Sequence, residues 1–269
     1  MITPQTVTPA YLKKIFNAAE KSLFNQSPLS EKELNQNFES SKNIDINKID
    51  WTKFYELIMY VTFYSGFRAE TVNSKSIAIK KALGKLNVVA KFKEPDIRSA
   101  LKNDSIIRHE AKIRACVYNA KAIIDLKTKY KTLQNYLSSF GDLTLSENIN
   151  ILAKDLKNKF KYLGGITVNH LLTDIGLNVV KPDRVLCRIF YRLGLIKSVT
   201  DYDNVIKVGQ LMTKATGLPI RYIDLIFVFY GQVGYKKELD IDKGICLEKN
   251  PNCNICKLNT YCYYYKQTN

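Results

Sequence analysis

Apolar residues recur at three- and four-residue spacing almost from end to end of this chain, and that pattern narrows the fold more than any other feature. Residues 9–24 place Tyr11, Leu12, Ile15, Phe16, Ala19 and Leu23 on one stripe. Ser30 and Glu33 form the capping-box pattern S-x-x-E ahead of a short helix. Trp51–Ser65 reads as a strongly apolar helix stopped by Gly66, and 69–84 as another stopped by Gly84. Ile106–Ile124 reads as a long, basic, amphipathic helix; 129–140, 148–161 and 166–176 follow. Pro182 opens a helix running to Gly194, and 203–215 and 220–231 complete the set. No period-2 segment of convincing length stands out, so the pattern predicts an all-α protein. At 269 residues and 46% hydrophobic, the chain is long enough for one large domain or two lobes.

The same arithmetic removes whole classes. The hydrophobic content excludes a disordered or low-complexity chain. The longest apolar run, near Leu225–Tyr230, is far short of the roughly 18 residues a membrane span needs. The opening MITPQTVTPAYLKK has no apolar h-region, so no secretory signal is expected. The expected location is cytoplasmic, nucleoid-associated in a prokaryote, where disulfides are rare. The six cysteines are therefore read as thiols, metal ligands or core residues.

Charge is placed unevenly. Residues 1–50 carry 6 basic and 6 acidic side chains, residues 51–150 carry 17 and 9, and residues 151–269 carry 18 and 10. The whole excess of +16 thus follows Asp50. A basic surface interleaved with Tyr and Phe suits a polyanion, most simply nucleic acid; solvated lysine faces that bind nothing give the same balance.

Two constellations carry chemistry. Cys246, Cys253, Cys256 and Cys262 form C-x6-C-x2-C-x5-C within seventeen residues. Four thiolates this close can wrap one metal centre, Zn²⁺ or an iron–sulfur cube; four unligated thiols are the bland alternative. Structural zinc sites usually pair two short C-x2–4-C knuckles, and only one is present. Lys249 and Lys257 make the loop basic, and Tyr261, Tyr263, Tyr264 and Tyr265 cluster at its C-terminal end. Cys116 and Cys187 sit among apolar neighbours and read as buried small residues. The second constellation is Lys161-Tyr162-Leu163-Gly164-Gly165-Ile166, a glycine-containing turn between two helices, whose free N–H groups at a helix start can cradle a phosphate. About seventeen residues on, Asp183 follows Pro182 at the start of the next helix, flanked by Lys181 and Arg184.

These motifs, in this order and separation, resemble the helix–hairpin–helix DNA glycosylase superfamily over about residues 145–262. The 6–2–5 cysteine spacing resembles the iron–sulfur loop of endonuclease III-type DNA glycosylases. The middle of the chain resembles 3-methyladenine DNA glycosylase I, on Ser105-Ile106-Ile107-Arg108-His109-Glu110-Ala111-Lys112-Ile113, on Asn119-Ala120-Lys121, on Leu156-Lys157 through Phe160-Lys161-Tyr162-Leu163-Gly164, and on Tyr64-Ser65-Gly66-Phe67. The resemblance implies an all-α, two-lobed fold, with one lobe at 51–183 and the other combining 1–50 with 184–269, and a cleft between them. It implies Asp183 as the catalytic carboxylate and Lys161, Gly164, Gly165, Ile166 and Arg184 as DNA contacts. It implies a [4Fe–4S] cluster on Cys246, Cys253, Cys256 and Cys262, with zinc as the minor alternative. It also implies a monomer acting on double-stranded DNA that holds a damaged or modified base, and Ser65–Arg68 as a loop that fills the stack when that base is flipped out.

The chain departs from these patterns in places. Tyr162 stands where the usual hairpin has its first glycine. Ile166 and Thr167 stand where bifunctional members hold a Schiff-base lysine, which implies a monofunctional enzyme leaving an abasic site. Val61 replaces the glycosylase I family's base-reading glutamate, and that family's zinc ligands have no counterparts. A bifunctional enzyme using a displaced lysine, a relative acting on hypermodified phage bases, and a non-catalytic DNA-binding iron–sulfur protein are the alternatives. The isolated His109 and His170 read as core or surface residues.

Overall fold

The computed structural model describes residues 7–268. In chain order its helices are α1 (Pro9–Phe24), α2 (Glu31–Lys42), α3 (Trp51–Tyr64), α4 (Ala69–Leu83), α5 (Leu86–Val89), α6 (Glu94–Lys102), α7 (Glu110–Tyr130), α8 (Leu133–Ser138), α9 (Ser146–Lys159), α10 (Gly165–Asp174), α11 (Arg184–Arg192), α12 (Tyr202–Thr216), α13 (Ile220–Gly231) and α14 (Tyr263–Thr268). Strands β1 (Val233–Lys236) and β2 (Ile241–Lys243) form an antiparallel pair after α13. The all-α expectation therefore stands apart from this one short hairpin, which is too brief for alternation to show.

Two compact units share the chain: Asp45–Leu177 is one, and the segments up to Ile44 and from Asn178 onward form the other. The boundaries fall a few residues earlier than the 50/51 and 183/184 read from sequence, and the side-chain bonding shows why. Gln134 Nε2 donates to the carbonyls of Ile46, Asn47 and Ile49, which fastens that stretch to α8. Gln210 Nε2 donates to the Asn178 carbonyl at 2.9 Å. Gly209 on α12 leaves Val180 so little clearance that an added Cβ would lie 2.6 Å from it. Residues 178–183 thus belong with α12, and Asp183 sits in the same unit as the cysteine loop, not at the end of the central lobe.

In the discontinuous unit, α1, α11, α12 and α13 bury Leu12, Ile15, Phe16, Leu186, Phe190, Val208, Met212, Ile223 and Phe227. Both Ser30–Glu33 capping-box bonds are present, at 3.4 and 2.8 Å. In the central unit, α3 and α7 pack together, with α10 and α4 also against α3. Phe54, Ile58, Ile113, Cys116, Ala120 and Ile123 are fully buried there, burial that stabilises by about 1.5–3 kcal/mol per large side chain. The long basic helix starts at Glu110, not at Ile106. Asn103 Oδ1 holds Ser105 in a side-chain turn, Ile106 and Ile107 are buried in non-helical backbone, and His109 is extended as N-cap. It runs on to Tyr130, where Lys131 at φ +66° breaks it, so α8 begins only after Thr132 caps it.

Candidate active site and DNA-binding hairpin

Helices α9 and α10 and the turn between them form the hairpin, wholly within the central unit. Tyr162, where a glycine was expected, has φ +63°, the left-handed backbone that glycine adopts without cost. The turn keeps its shape although the residue has changed. Three side chains hold it there. Thr167 Oγ1 accepts the Gly164 N–H at 2.6 Å and donates to the Tyr162 carbonyl at 2.8 Å. Asn119, fully buried on α7, accepts the Lys161 N–H at 2.8 Å and donates to the Lys161 carbonyl at 3.1 Å. The Lys112 ammonium sits 4.4 Å from the centre of the Tyr162 ring. Gly164, Gly165 and Ile166 are exposed, and no heavy atom lies within 4 Å of where a Gly165 Cβ would be. The first-turn amides of α10 have no helical acceptor, so the helix start presents N–H groups to open space, the geometry for a phosphate oxygen. Lys161 is exposed beside them, its ammonium 5.0 Å from the Tyr118 ring. An open groove of about 510 Å³ runs here, lined by Ala111, Arg114, Ala115, Tyr118, Lys161 and Tyr162.

Lys112 itself is 2% exposed. It donates to the carbonyls of Thr62 and Ser65 and lies 5.4 Å from the Phe67 ring. Burial pushes its pKa down to about 8, which still leaves it protonated at neutral pH. Burial likewise lifts the Cys116 thiol, one turn along, to about 12, so it stays neutral. Phe67 is half-buried with its edge toward His109, while Gly66 beside it is exposed at φ +79°.

Asp183 is the N-cap of α11. Its Oδ1 accepts from Val185 N at 2.8 Å and Leu186 N at 3.0 Å, which fixes the carboxylate. Its Oδ2 lies 3.4 Å from Lys181 Nζ, and the side chain is 14% exposed. Capping uses only one oxygen of the carboxylate; the other meets the Lys181 ammonium. Arg184 is exposed next to it. Helix α11 lies close against α13, where a Cβ on Gly231 would be 2.5 Å from Val185 Cγ1.

At the far end of α11, Arg192 is 9% exposed and donates to Cys246 Sγ at 3.3 Å, to Leu247 O at 2.7 Å and to Glu248 O at 3.0 Å. Its guanidinium stacks 4.3 Å from the Tyr264 ring, and Arg188 donates to the Gly231 and Cys246 carbonyls. Cys246, Cys253, Cys256 and Cys262 all line one small cavity of about 20 Å³, with Arg192, Tyr264 and Tyr265. Tyr230 Oη lies 2.9 Å from Cys256 Sγ. Burial raises the thiols of Cys253, Cys256 and Cys262 above the usual cysteine range. Among the described residues no three His, Cys, Asp or Glu side chains form a ready metal cage. The loop is tied to α1 through Lys257 N–H to Ser22 Oγ at 3.0 Å; Lys249 and the Lys257 side chain are exposed.

Sequence reasoning named Lys112, Asn119 and Thr167 only as members of family-like motifs, without these contacts, and did not single out Arg188 or Arg192. A buried Asn or Lys on an apolar helix face is a signal of a kind, but its partner is chosen by tertiary contact.

The family model of the methyladenine glycosylases matches residues 44–187, more than half the chain, from α3 through the hairpin to Asp183. The chain belongs to that family. It is a DNA N-glycosylase, and its central unit, hairpin and Asp183 lie within the matched region. The 8-oxoguanine DNA glycosylase of Thermotoga maritima superposes with a TM-score of 0.51 at 16% identity, covering 81% of this chain and 96% of that one. The 8-oxoguanine DNA glycosylase of Methanocaldococcus jannaschii gives 0.51 at 18%, covering 81% and 90%. Both show the same helical fold. The 3-methyladenine DNA glycosylase I of Staphylococcus aureus gives 0.44 at 22%, covering 55% and 87%. In this glycosylase Val61 is fully buried. Among the described residues no helix is long and apolar enough to cross a membrane.

Proposed function

We propose that this glycosylase hydrolyses the N-glycosidic bond of a damaged or modified base in double-stranded DNA, leaves an abasic site, and has no lyase activity. The observation that carries the reading is Asp183. Two backbone amides hold one carboxylate oxygen, and the other, 3.4 Å from Lys181 Nζ, is the one that would face an electron-poor sugar. A fixed negative charge there stabilises positive charge developing on the deoxyribose as the base departs, and it can orient the attacking water. The α10 helix start supplies phosphate-binding amides, and Lys161 and Arg184 supply exposed cations. A lyase needs an unprotonated amine. The nearest lysine, Lys181, is ion-paired with Asp183, and Ile166 and Thr167 occupy the usual lysine site, which supports the monofunctional reading. Buried Val61 offers no carboxylate to a cationic base, so alkylated purines need not be the preferred substrate.

We further propose that Cys246, Cys253, Cys256 and Cys262 hold a [4Fe–4S] cluster. The donor set suits it: four thiols line one cavity, and the buried Arg192 cation against Cys246 offsets thiolate charge. When bound, the cluster supplies structural cross-linking of the C-terminal loop.

The test is a panel of duplex oligonucleotides carrying alkylated, oxidised, deaminated and hypermodified bases. On the true substrate, strands should break only after alkali, and Asp183→Asn should slow base release by on the order of a hundredfold. Strand cleavage without alkali, together with borohydride trapping, would refute the monofunctional reading. Full activity of Asp183→Asn would refute the role of Asp183.

A further inference from the structure

Lys112 stands out as a buried cation outside the chemistry assigned so far. Burying an ammonium is costly, and an apolar side chain would fill the same space without that cost. What the ammonium adds is a set of contacts to three separate pieces of chain. Helix α3 ends at Tyr64, so its last carbonyls lack helical partners. Lys112 donates to two carbonyls in that region, those of Thr62 and Ser65, where a cation also complements the negative end of the helix. It faces the Phe67 ring, in the Ser65–Arg68 turn whose Gly66 backbone is left-handed and exposed. It faces the Tyr162 ring, in the hairpin, whose backbone is also left-handed. Its own helix α7 also carries Asn119, which clamps Lys161. The groups around the ammonium are therefore Cys116 on its own helix, the Tyr162 phenol from the hairpin, carbonyl oxygens from α3 and its exit, and the Phe67 ring, against which His109 packs.

We propose that Lys112 is a positioning residue that fastens the Ser65–Arg68 turn and the hairpin into one DNA-engaging edge. The inference rests on the DNA glycosylase reading above, with the hairpin holding phosphate and the turn entering the base stack. One amine then sets the spacing between the loop that grips the backbone and the loop that fills the space left by a flipped base. Neither loop touches DNA through Lys112, which acts only through the loops it holds.

Lys112→Met keeps length and packing and removes the donors, while Lys112→Arg keeps the charge. Both are measured on a duplex containing 2-aminopurine next to an abasic-site analogue, whose fluorescence reports insertion into the stack. With Met, the duplex Kd should rise about tenfold and the fluorescence change on binding should shrink; Arg should recover part of both. A Met variant that is folded by circular dichroism, yet binds and reports like wild type, overturns the proposal. If the Met variant does not fold, native-state hydrogen exchange on the wild type decides. The hydrogen-bonded amides of Phe67 in the turn and of Lys161 and Gly164 in the hairpin should open together, as one cooperative unit; independent opening overturns the proposal. Gly165→Glu serves as the separate arm. If it leaves binding intact, the hairpin reading fails; if it abolishes binding while Lys112→Met does not weaken it, only the role of Lys112 fails.

Discussion

Asn119→Ala should unfasten the hairpin from helix α7, and the cost can be worked from two bonds. The side-chain amide of Asn119 is fully buried and meets both the N–H and the C=O of Lys161, at 2.8 and 3.1 Å. Alanine removes both bonds and leaves two backbone groups without their partner. Each such loss costs about 1–3 kcal/mol, toward the lower end here because Lys161 lies at the surface and water reaches part of the vacancy. The sum is about 2–4 kcal/mol. Trp51 is the only tryptophan and sits in the same unit, donating its indole N–H to the Lys131 carbonyl at 3.1 Å, so its fluorescence during urea unfolding reports that unit. The midpoint should fall with the slope unchanged. Asn119→Asp sharpens the test. Its carboxylate can accept from the Lys161 N–H but would face the carbonyl with a second acceptor, so at neutral pH it should be no more stable than Ala. Burial beside a carbonyl raises that carboxyl's pKa in the folded state. The folded form then binds the extra proton, and stability lost at neutral pH returns as pH falls through the raised value toward about 4. An Ala variant within about 0.5 kcal/mol of wild type, or an Asp variant with no recovery in acid, would refute the clamp.

Four other outcomes follow from the same contacts. Tyr162→Gly should be about 1 kcal/mol more stable than Tyr162→Ala, because both lose the ring but only glycine relieves the φ of +63°; urea melts of the two variants decide. Asp183→Ala should lose about 1 kcal/mol of stability with the α11 cap, while Asp183→Asn, which keeps an acceptor for Val185 and Leu186, should lose little, although both lose activity. Lys112 titrates at about 8 in the folded state, below its unfolded value of about 10.5, so the unfolded chain binds more protons between them. Wild-type stability relative to Lys112→Met should therefore rise with pH, by about 1 kcal/mol from pH 7 to 9 in paired denaturant titrations. Anaerobically purified protein should carry iron and sulfide with broad absorbance near roughly 400 nm, and Cys256→Ser should lose both; stoichiometric zinc would replace the cluster proposal.

The sequence by itself determined the helical class, because a 3.6-residue apolar period leaves each segment one way to bury its stripe. Helices such as Pro9–Phe24, the Ser30 capping box and the buried Cys116 were legible because their causes lie within a few residues of chain. The candidate site residues were legible as motifs for the same reason: the cysteine spacing, the glycine turn and Pro182-Asp183 are local patterns. Tertiary structure decided the rest. Whether the long basic helix starts at Ile106 or Glu110 depended on Ile106 and Ile107 finding a core outside a helix. The unit to which Asp183 belongs depended on Gly209 admitting Val180 and Gln210 holding Asn178. That a tyrosine can occupy a glycine's left-handed turn depended on Thr167, Asn119 and Lys112. Those residues are 5, 43 and 50 positions from Tyr162, and only Thr167 is within the reach of a local pattern. Left-handed backbone at a bulky residue is unfavourable taken alone and persists where surrounding contacts over-determine it, so it follows from contacts between distant segments that no local spacing encodes.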